Sequence, residues 1–234
     1  MRVQQIVGAL LYYSRAVDPT LAVTLSTLAS EQAKATATTN TKITQLLNYC
    51  ATHPLAKIRY YSSDMILKIH SDAGYGNSPG FRSRAGGHHY LDNHQGTIPN
   101  NGAILNPTGI LKHVATSSAE AELGAIFVNA KEGLILRTTL QEMGFPQTCT
   151  TIITDNTLAT GFVNDTIKKQ RSRAMDMRFH WIQDQQEQNT VAVEWKPASE
   201  NKGDYYTKHH SPAHHKQIRS TYLFCDPNDN EHDP

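Results

Sequence analysis

Residues 117–125 read Ser117-Ser118-Ala119-Glu120-Ala121-Glu122-Leu123-Gly124-Ala125 (SSAEAELGA). The stretch has the form of a helix start, yet it carries two glutamates two positions apart. Side chains at that spacing do not share a helix face. Ser117 and Glu120 fit the S-x-x-E capping box, with Ser117 as N-cap, which gives Glu120 a structural task. Glu122 falls beside the apolar stripe Leu123, Phe127, Ala130 and Leu134, the face that packs on neighbouring structure. A carboxylate there needs a partner, because an unpaired buried charge is costly. Glu120 is therefore expected to cap, and Glu122 to carry chemistry.

From this helix, spanning 118–143 and stopped by Gly144 with Pro146 just beyond, the pattern extends both ways. Upstream, residues 58–61 and 65–72 read as strands joined by Ser62-Ser63-Asp64, and 84–91 as a third. Strand pieces at 103–105 and 110–115 flank Asn106-Pro107-Thr108-Gly109. Downstream come a strand at 150–154, a helix at 157–164, a helix at 175–188, a strand at 191–195 and a helical region at 203–224. Residues 1–60 read as a helical preface, with a connection at 31–42 and a helix at 43–52. Consecutive strands followed by strand–helix alternation predict an α/β mixed sheet with helices on its faces.

Composition sets the outer bounds. The 234 residues are 38% hydrophobic and 18% charged, enough for one cored domain with an appendage. A net charge of +1 announces no overall basic field, so any polyanion would be met by local patches or bound cations. Three widely spaced cysteines, Cys50, Cys149 and Cys225, argue against a disulfide framework or a thiolate zinc site. The apolar run 6–13 is too short to span a membrane and has no cleavage site, which points to an intracellular protein, cytoplasmic or nuclear, not secreted.

Two of the strands end in aspartates, Asp72 after 65–71 and Asp155 after 150–154. Alternation puts Asp72 on the face of His70 and Lys68. Adjacent parallel strands would bring Asp72 and Asp155 together outside their carboxyl ends, where sites of open α/β sheets lie. A fourth acid, Asp204, stands in Asn201-Lys202-Gly203-Asp204-Tyr205-Tyr206-Thr207-Lys208. Convergent carboxylates repel one another, and hard oxygen ligands without thiolates favour magnesium or manganese as compensation.

With these motifs in hand, the chain resembles the ribonuclease H domain of a copia-type retrotransposon polyprotein, over nearly its whole length. Ser71-Asp72-Ala73 is similar to the family's S-D-A, 117–123 to S-S-x-E-A-E-[YL], and Thr154-Asp155-Asn156 to T/C-D-N. Residues 171–182 resemble its S-R-x-K-H-I-D-x-R-[YF]-H-[FW]-I run, and 203–208 its A-D-x-x-T-K motif. Residues 6–19 resemble the end of the reverse transcriptase, and the polymerase's Y-V-D-D motif is absent from the sequence.

The resemblance implies a ribonuclease H-like mixed five-stranded sheet over 61–226, after a helical segment at 1–60 resembling the reverse transcriptase thumb or connection, with a disordered tail at 227–234. It implies hydrolysis of the RNA strand of RNA–DNA hybrids with two Mg2+ ions roughly 3.5–4 Å apart, Mn2+ being a substitute. Asp72, Glu122, Asp155 and Asp204 would be catalytic and metal-binding, with Asp72 bridging. Ser71, Ser117, Ser118 and Asn156 are placed for 2′-hydroxyl contacts. Arg82, Arg84, Lys168, Lys169, Arg171 and Arg173 are placed for phosphate contacts. The loop 196–203 lacks the histidine other ribonucleases H often carry there, so Glu200 or Lys202 substitutes or turnover is slow. The implied partners are the hybrid and the polymerase portion of a reverse transcriptase, with no membrane. An integrase-like nuclease would place its glutamate last, after both aspartates, whereas Glu122 lies between them. The alternative within the same fold is an inactive relic or scaffold that binds without cleaving.

Overall fold

The computed structural model describes residues 2–166 and 177–225. The expected tail at 227–234, the start of the helix at 175–188, and Lys168, Lys169, Arg171 and Arg173 lie outside the described residues. The chain divides into two compact units, Met1–Tyr61 with His209–Pro234, and Ser62–Lys208. Among the described residues, no helix is long and apolar enough to cross a membrane.

The first unit holds α1 (Arg2–Ala16), α2 (Ala22–Glu31), α3 (Ala37–Thr52) and the last helix, α7 (Pro212–Tyr222). Its core is Val3, Val7, Leu21, Leu25, Leu28, Ile43 and Leu46. The expected connection at 31–42 is partly helical, since α3 begins at Ala37. Thr36 and Thr39 cap each other reciprocally, which overrides the weak patterning of this Ala/Thr-rich stretch. Helix α7 also departs from expectation. Sequence grouped it with the sheet, but its His215 and Arg219 reach Tyr49 of α3 at 3.1 and 3.4 Å.

The second unit is a six-stranded mixed sheet flanked by helices. Its strands are β1 (Ile66–Ser78), β2 (Arg82–Asp92), β3 (Ala103–Leu105), β4 (Thr108–Ile110), β5 (Thr150–Thr154) and β6 (Val191–Trp195). The order is β3-β2-β1-β5-β6, with β4 also on β2. β1 and β2 form the antiparallel hairpin, whereas β1–β5 and β5–β6 are parallel. The crossovers run through α4 (Ser118–Glu142) and through α5 (Thr157–Val163) with α6 (Met177–Glu187). Residues 58–61 are not a strand. They find no sheet neighbour, and the backbone before them instead takes Phe224 N–H on Lys57 O at 2.8 Å.

Helix α4 lies on the face of β1 and β2 that carries Leu67 and Ile69, and Ile126, Ala130, Ile152, Phe179, Ile182 and Val191 complete that core. One polar residue is built into the contact. Asn129 Nδ2 donates to Ser71 Oγ, Gly86 O and Ala125 O, each at 3.0 Å, and its Oδ1 lies 2.9 Å from His89 Nε2. The strand must come close for this, and Gly87 lets it. A Cβ at Gly87 would fall 1.8 Å from Asn129 Oδ1.

Gly87→Ala is therefore expected to destabilise the chain by ~2 kcal/mol, from overpacking and a broken buried network. Gly109→Ala, where an added Cβ meets nothing within 4 Å, should change stability by less than about 0.5 kcal/mol. Denaturant midpoints of the two variants check the contrast.

Candidate active site

β1 and β5 pair in parallel from Lys68↔Thr151 through His70↔Ile153, and the pairing then stops. β1 runs on beside β2, with Asp72 opposite Gly86, so the two parallel strands part just before their aspartates. This is a switch point, where strand connections leave in opposite directions and open a crevice. The first turns of α4 bring Glu122 into it. Ligand atoms of Asp72, Glu122 and Asp155 all lie within 4.8 Å of one another.

The two glutamates of α4 divide their work as their spacing requires. Ser117 Oγ accepts from Glu120 N at 3.2 Å, and Glu120 Oε2 accepts from Thr116 N and Thr116 Oγ1, both at 2.7 Å. The return bond thus lands one residue before the N-cap. Glu122 is buried at 4% exposure, where its carboxylate accepts from Ala73 N–H and sits 3.5 Å from Thr154 Oγ1.

Asp72 is held from the far side by the segment at 201–207. Thr207 Oγ1 donates to Asp72 Oδ2 at 2.9 Å, and Asn201 Nδ2 sits 3.0 Å from Ser71 O and 3.4 Å from Asp72 Oδ1. Gly203 permits the approach, since a Cβ there would be 3.0 Å from both Asp72 N and the Ser71 carbonyl carbon. Thr108 and Asn77 pin the segment by donating to Tyr206 O and Thr207 O at 2.7 and 2.8 Å. Asn201, Thr207 and Thr154 are thus part of the site, though the sequence reading assigned a role only to the acids around them.

Asp204 stands apart from the three. It is outside their cluster and pairs with Lys208 Nζ at 2.6 Å. It is close enough to raise the pKa of both aspartates. Burial, then the charges of Asp204 and Asp155, push Asp72 up to about 7. Burial, then Asp72 and Asp155, push Glu122 up to about 9. Burial also raises Asp155. Oxygen-only donors whose negative charge is resisted by burial and by one another fit a hard divalent cation.

The expected nucleic-acid contacts fare unevenly. Ser71 is fully buried and its hydroxyl is taken by Asn129, so it cannot reach a ligand. Arg84 is 3% exposed, in a strand paired on both sides with Gly74 and Ile110, and is not a surface phosphate contact. Arg82 turns its guanidinium to Leu111 O. Ser117 and Ser118 are exposed at the start of α4, and Asn156 caps α5 through Ala159 N at 2.9 Å. Lys202, offered as a stand-in for the loop histidine, is half-buried with its ammonium 5.3 Å from the Tyr90 ring centre.

Comparison with known proteins follows the motifs. No family model matches the chain. It is 31% identical over 146 residues to the retrovirus-related Pol polyprotein from transposon TNT 1-94 of Nicotiana tabacum. That match covers 62% of this chain and 10% of the polyprotein, so the chain spans about a tenth of its relative's length. The chain thus resembles a retrotransposon Pol polyprotein, as its motifs implied. Among solved structures, LC11-RNase H1 isolated from compost is similar at 15% identity and a TM-score of 0.46, over 61% of this chain and 93% of that one. The N-terminal RNase H domain of Rv2228c from Mycobacterium tuberculosis is similar at 16% identity and a TM-score of 0.44, over 61% and 91%. LC11-RNase H1 in complex with an RNA/DNA hybrid gives 14% identity and a TM-score of 0.42, over 60% and 93%.

The raised carboxyls make stability depend on pH. A folded-state pKa above the unfolded value means the folded chain binds more protons, so stability is full below the unfolded pKa and falls as pH rises toward the folded one. For Glu122 that window runs from 4.5 to about 9. Without divalent cations, Tm should fall between pH 5 and 9, and Glu122→Gln should flatten the fall and raise Tm at pH 8. Each kcal/mol relieved is worth roughly 2–4 °C. Thermal melts across pH, with and without chelator, provide the check.

Proposed function

We propose that the chain is a metal-dependent endonuclease that hydrolyses the RNA strand of RNA–DNA hybrids, as the ribonuclease H portion of a copia-type retrotransposon reverse transcriptase. The observation that carries the reading is the convergence of Asp72, Glu122 and Asp155 within 4.8 Å at the parting of β1 and β5. Three acids distant in sequence meet where the sheet opens, in the order that the sequence motifs implied.

Asp72, Glu122 and Asp155 would hold Mg2+, or Mn2+ in its place, with Asp72 shared between two ions and Asp204 completing the second. When bound, the ions supply Lewis-acid activation of water and charge stabilisation at the leaving oxygen. The protein's residues do the rest by position. Thr207 and Asn201 fix the Asp72 carboxylate, and Ala73 N–H with Thr154 fixes Glu122. Asp204 would have to exchange its Lys208 partner to join them. The exposed hydroxyls of Ser117 and Ser118, on the helix start that leads to Glu122, and the side chain of Asn156, next to Asp155, would read ribose 2′-hydroxyls, which distinguish RNA from DNA. In the proposed hydrolysis a water oxygen would bond to phosphorus as the P–O3′ ester bond of the RNA strand breaks, leaving a 3′-hydroxyl and a 5′-phosphate.

The test is cleavage of a hybrid labelled on each strand, in Mg2+ or Mn2+. The expected result is cutting of the RNA strand alone, abolished by chelator and reduced at least about 10³-fold in Asp72→Asn and Glu122→Gln, in line with loss of an electrostatic centre. A folded chain that binds hybrid and cuts neither strand with either ion would instead establish the scaffold alternative.

A further inference from the structure

Trp195 ends β6 beside the crevice and is 49% exposed. It alternates with Val191 and Val193, which are buried in the main core, so the same strand face turns from core to solvent at its last residue. Its indole Nε1 donates to Asp155 O at 3.0 Å, tying the ring to the backbone of a crevice residue. Of the exposed aromatics in the sheet unit, Tyr75 and Phe81 pack edge-to-face at 5.4 Å, and Tyr75 Oη donates to Thr116 O. Among the described residues no ring packs on Trp195 in this way.

A large apolar face left in water is unfavourable, and a hydrogen bond that fixes its orientation removes the entropy cost of presenting it. Trp195 stands opposite Thr154, one strand spacing of about 4.8 Å from β5. A nucleic-acid strand advances ~3.4 Å per nucleotide. A strand that lies over the three carboxylates and crosses from β5 towards β6 would pass the indole within one or two nucleotides.

We infer that Trp195 is a preset aromatic platform for the nucleotide flanking the scissile position of the cleaved strand. The inference rests on the nuclease reading, and adds a substrate contact to it. The indole supplies a flat apolar face that a sugar ring of the paired strand can cover, a contact that tolerates any sequence. The indole N–H is already used on Asp155 O, so the ring contributes surface and no base-specific hydrogen bond.

The test compares Trp195→Phe with Trp195→Ala in the full chain. Hybrid affinity is measured by fluorescence anisotropy in an Asp72→Asn background, where cutting is blocked. Mn2+ binding is measured by calorimetry in the unblocked chain, and folding by Tm. The platform predicts about tenfold weaker hybrid binding for Ala, a loss of less than about threefold for Phe, and unchanged Mn2+ affinity in both. Unchanged hybrid binding in Ala overturns it. So does equal loss in Phe and Ala accompanied by weakened Mn2+ binding, which would make Trp195 a positioning residue for Asp155 only. A wild-type chain that shows the Ala–Phe contrast but cuts no strand keeps the platform and removes the nuclease reading. A chain with no affinity for hybrid removes both.

Discussion

Three carboxyl groups within 4.8 Å, two of them at or below 5% exposure, resist being charged together. The sheet unit is organised around tolerating that repulsion. The energy to hold the acids together comes from packing elsewhere: the Ile69, Ile126 and Ile152 core on the α4 side, and the segment 201–207 on the other. The parting of β1 and β5 after His70 and Ile153 makes the crevice possible.

Glycines mark where this arrangement demands close approach. Gly86 faces the 203–207 segment, where a Cβ would fall 2.7 Å from Thr207 Cγ2 and 2.8 Å from Gly203 O. Gly87, next in line, faces α4 and Asn129. Alternation sends these neighbours to opposite faces of β2, so the pair lets a helix and a loop both press on one strand. Asp72 lies opposite Gly86 and is reached from the loop side, while Glu122 arrives from the helix side.

Much of this was legible in the sequence because it was local. The strands at 150–154 and 191–195 coincide with the structure, since turn residues bound short apolar runs on both sides. The division of labour between Glu120 and Glu122 follows from helical spacing alone. What escaped was decided by distant partners. Arg84 reads as a surface cation, but it is buried in a strand paired on both sides. Ser71 reads as a polar neighbour of the site, but its alternation sends it to Asn129. Residues 58–61 have strand composition and no strand to pair with. Asn201 and Thr207 lie three residues either side of Asp204, and nothing in spacing marks them as the donors that orient Asp72. Nor does spacing show that Asp204 pairs with Lys208.

Under the proposed function these carboxylates would hold a divalent cation, and calorimetric titration of the chain with Mn2+ and with Mg2+ at pH 7 tests this. Two buffers of different ionisation enthalpy would be used. Burial and mutual repulsion keep Glu122 protonated and Asp72 partly so at that pH, and a cation binds only the deprotonated form. Binding should therefore release about one proton or more per chain, seen as a buffer-dependent enthalpy, and both heat and proton release should diminish in Glu122→Gln. Binding without proton release, or no binding by a folded chain, would contradict the account.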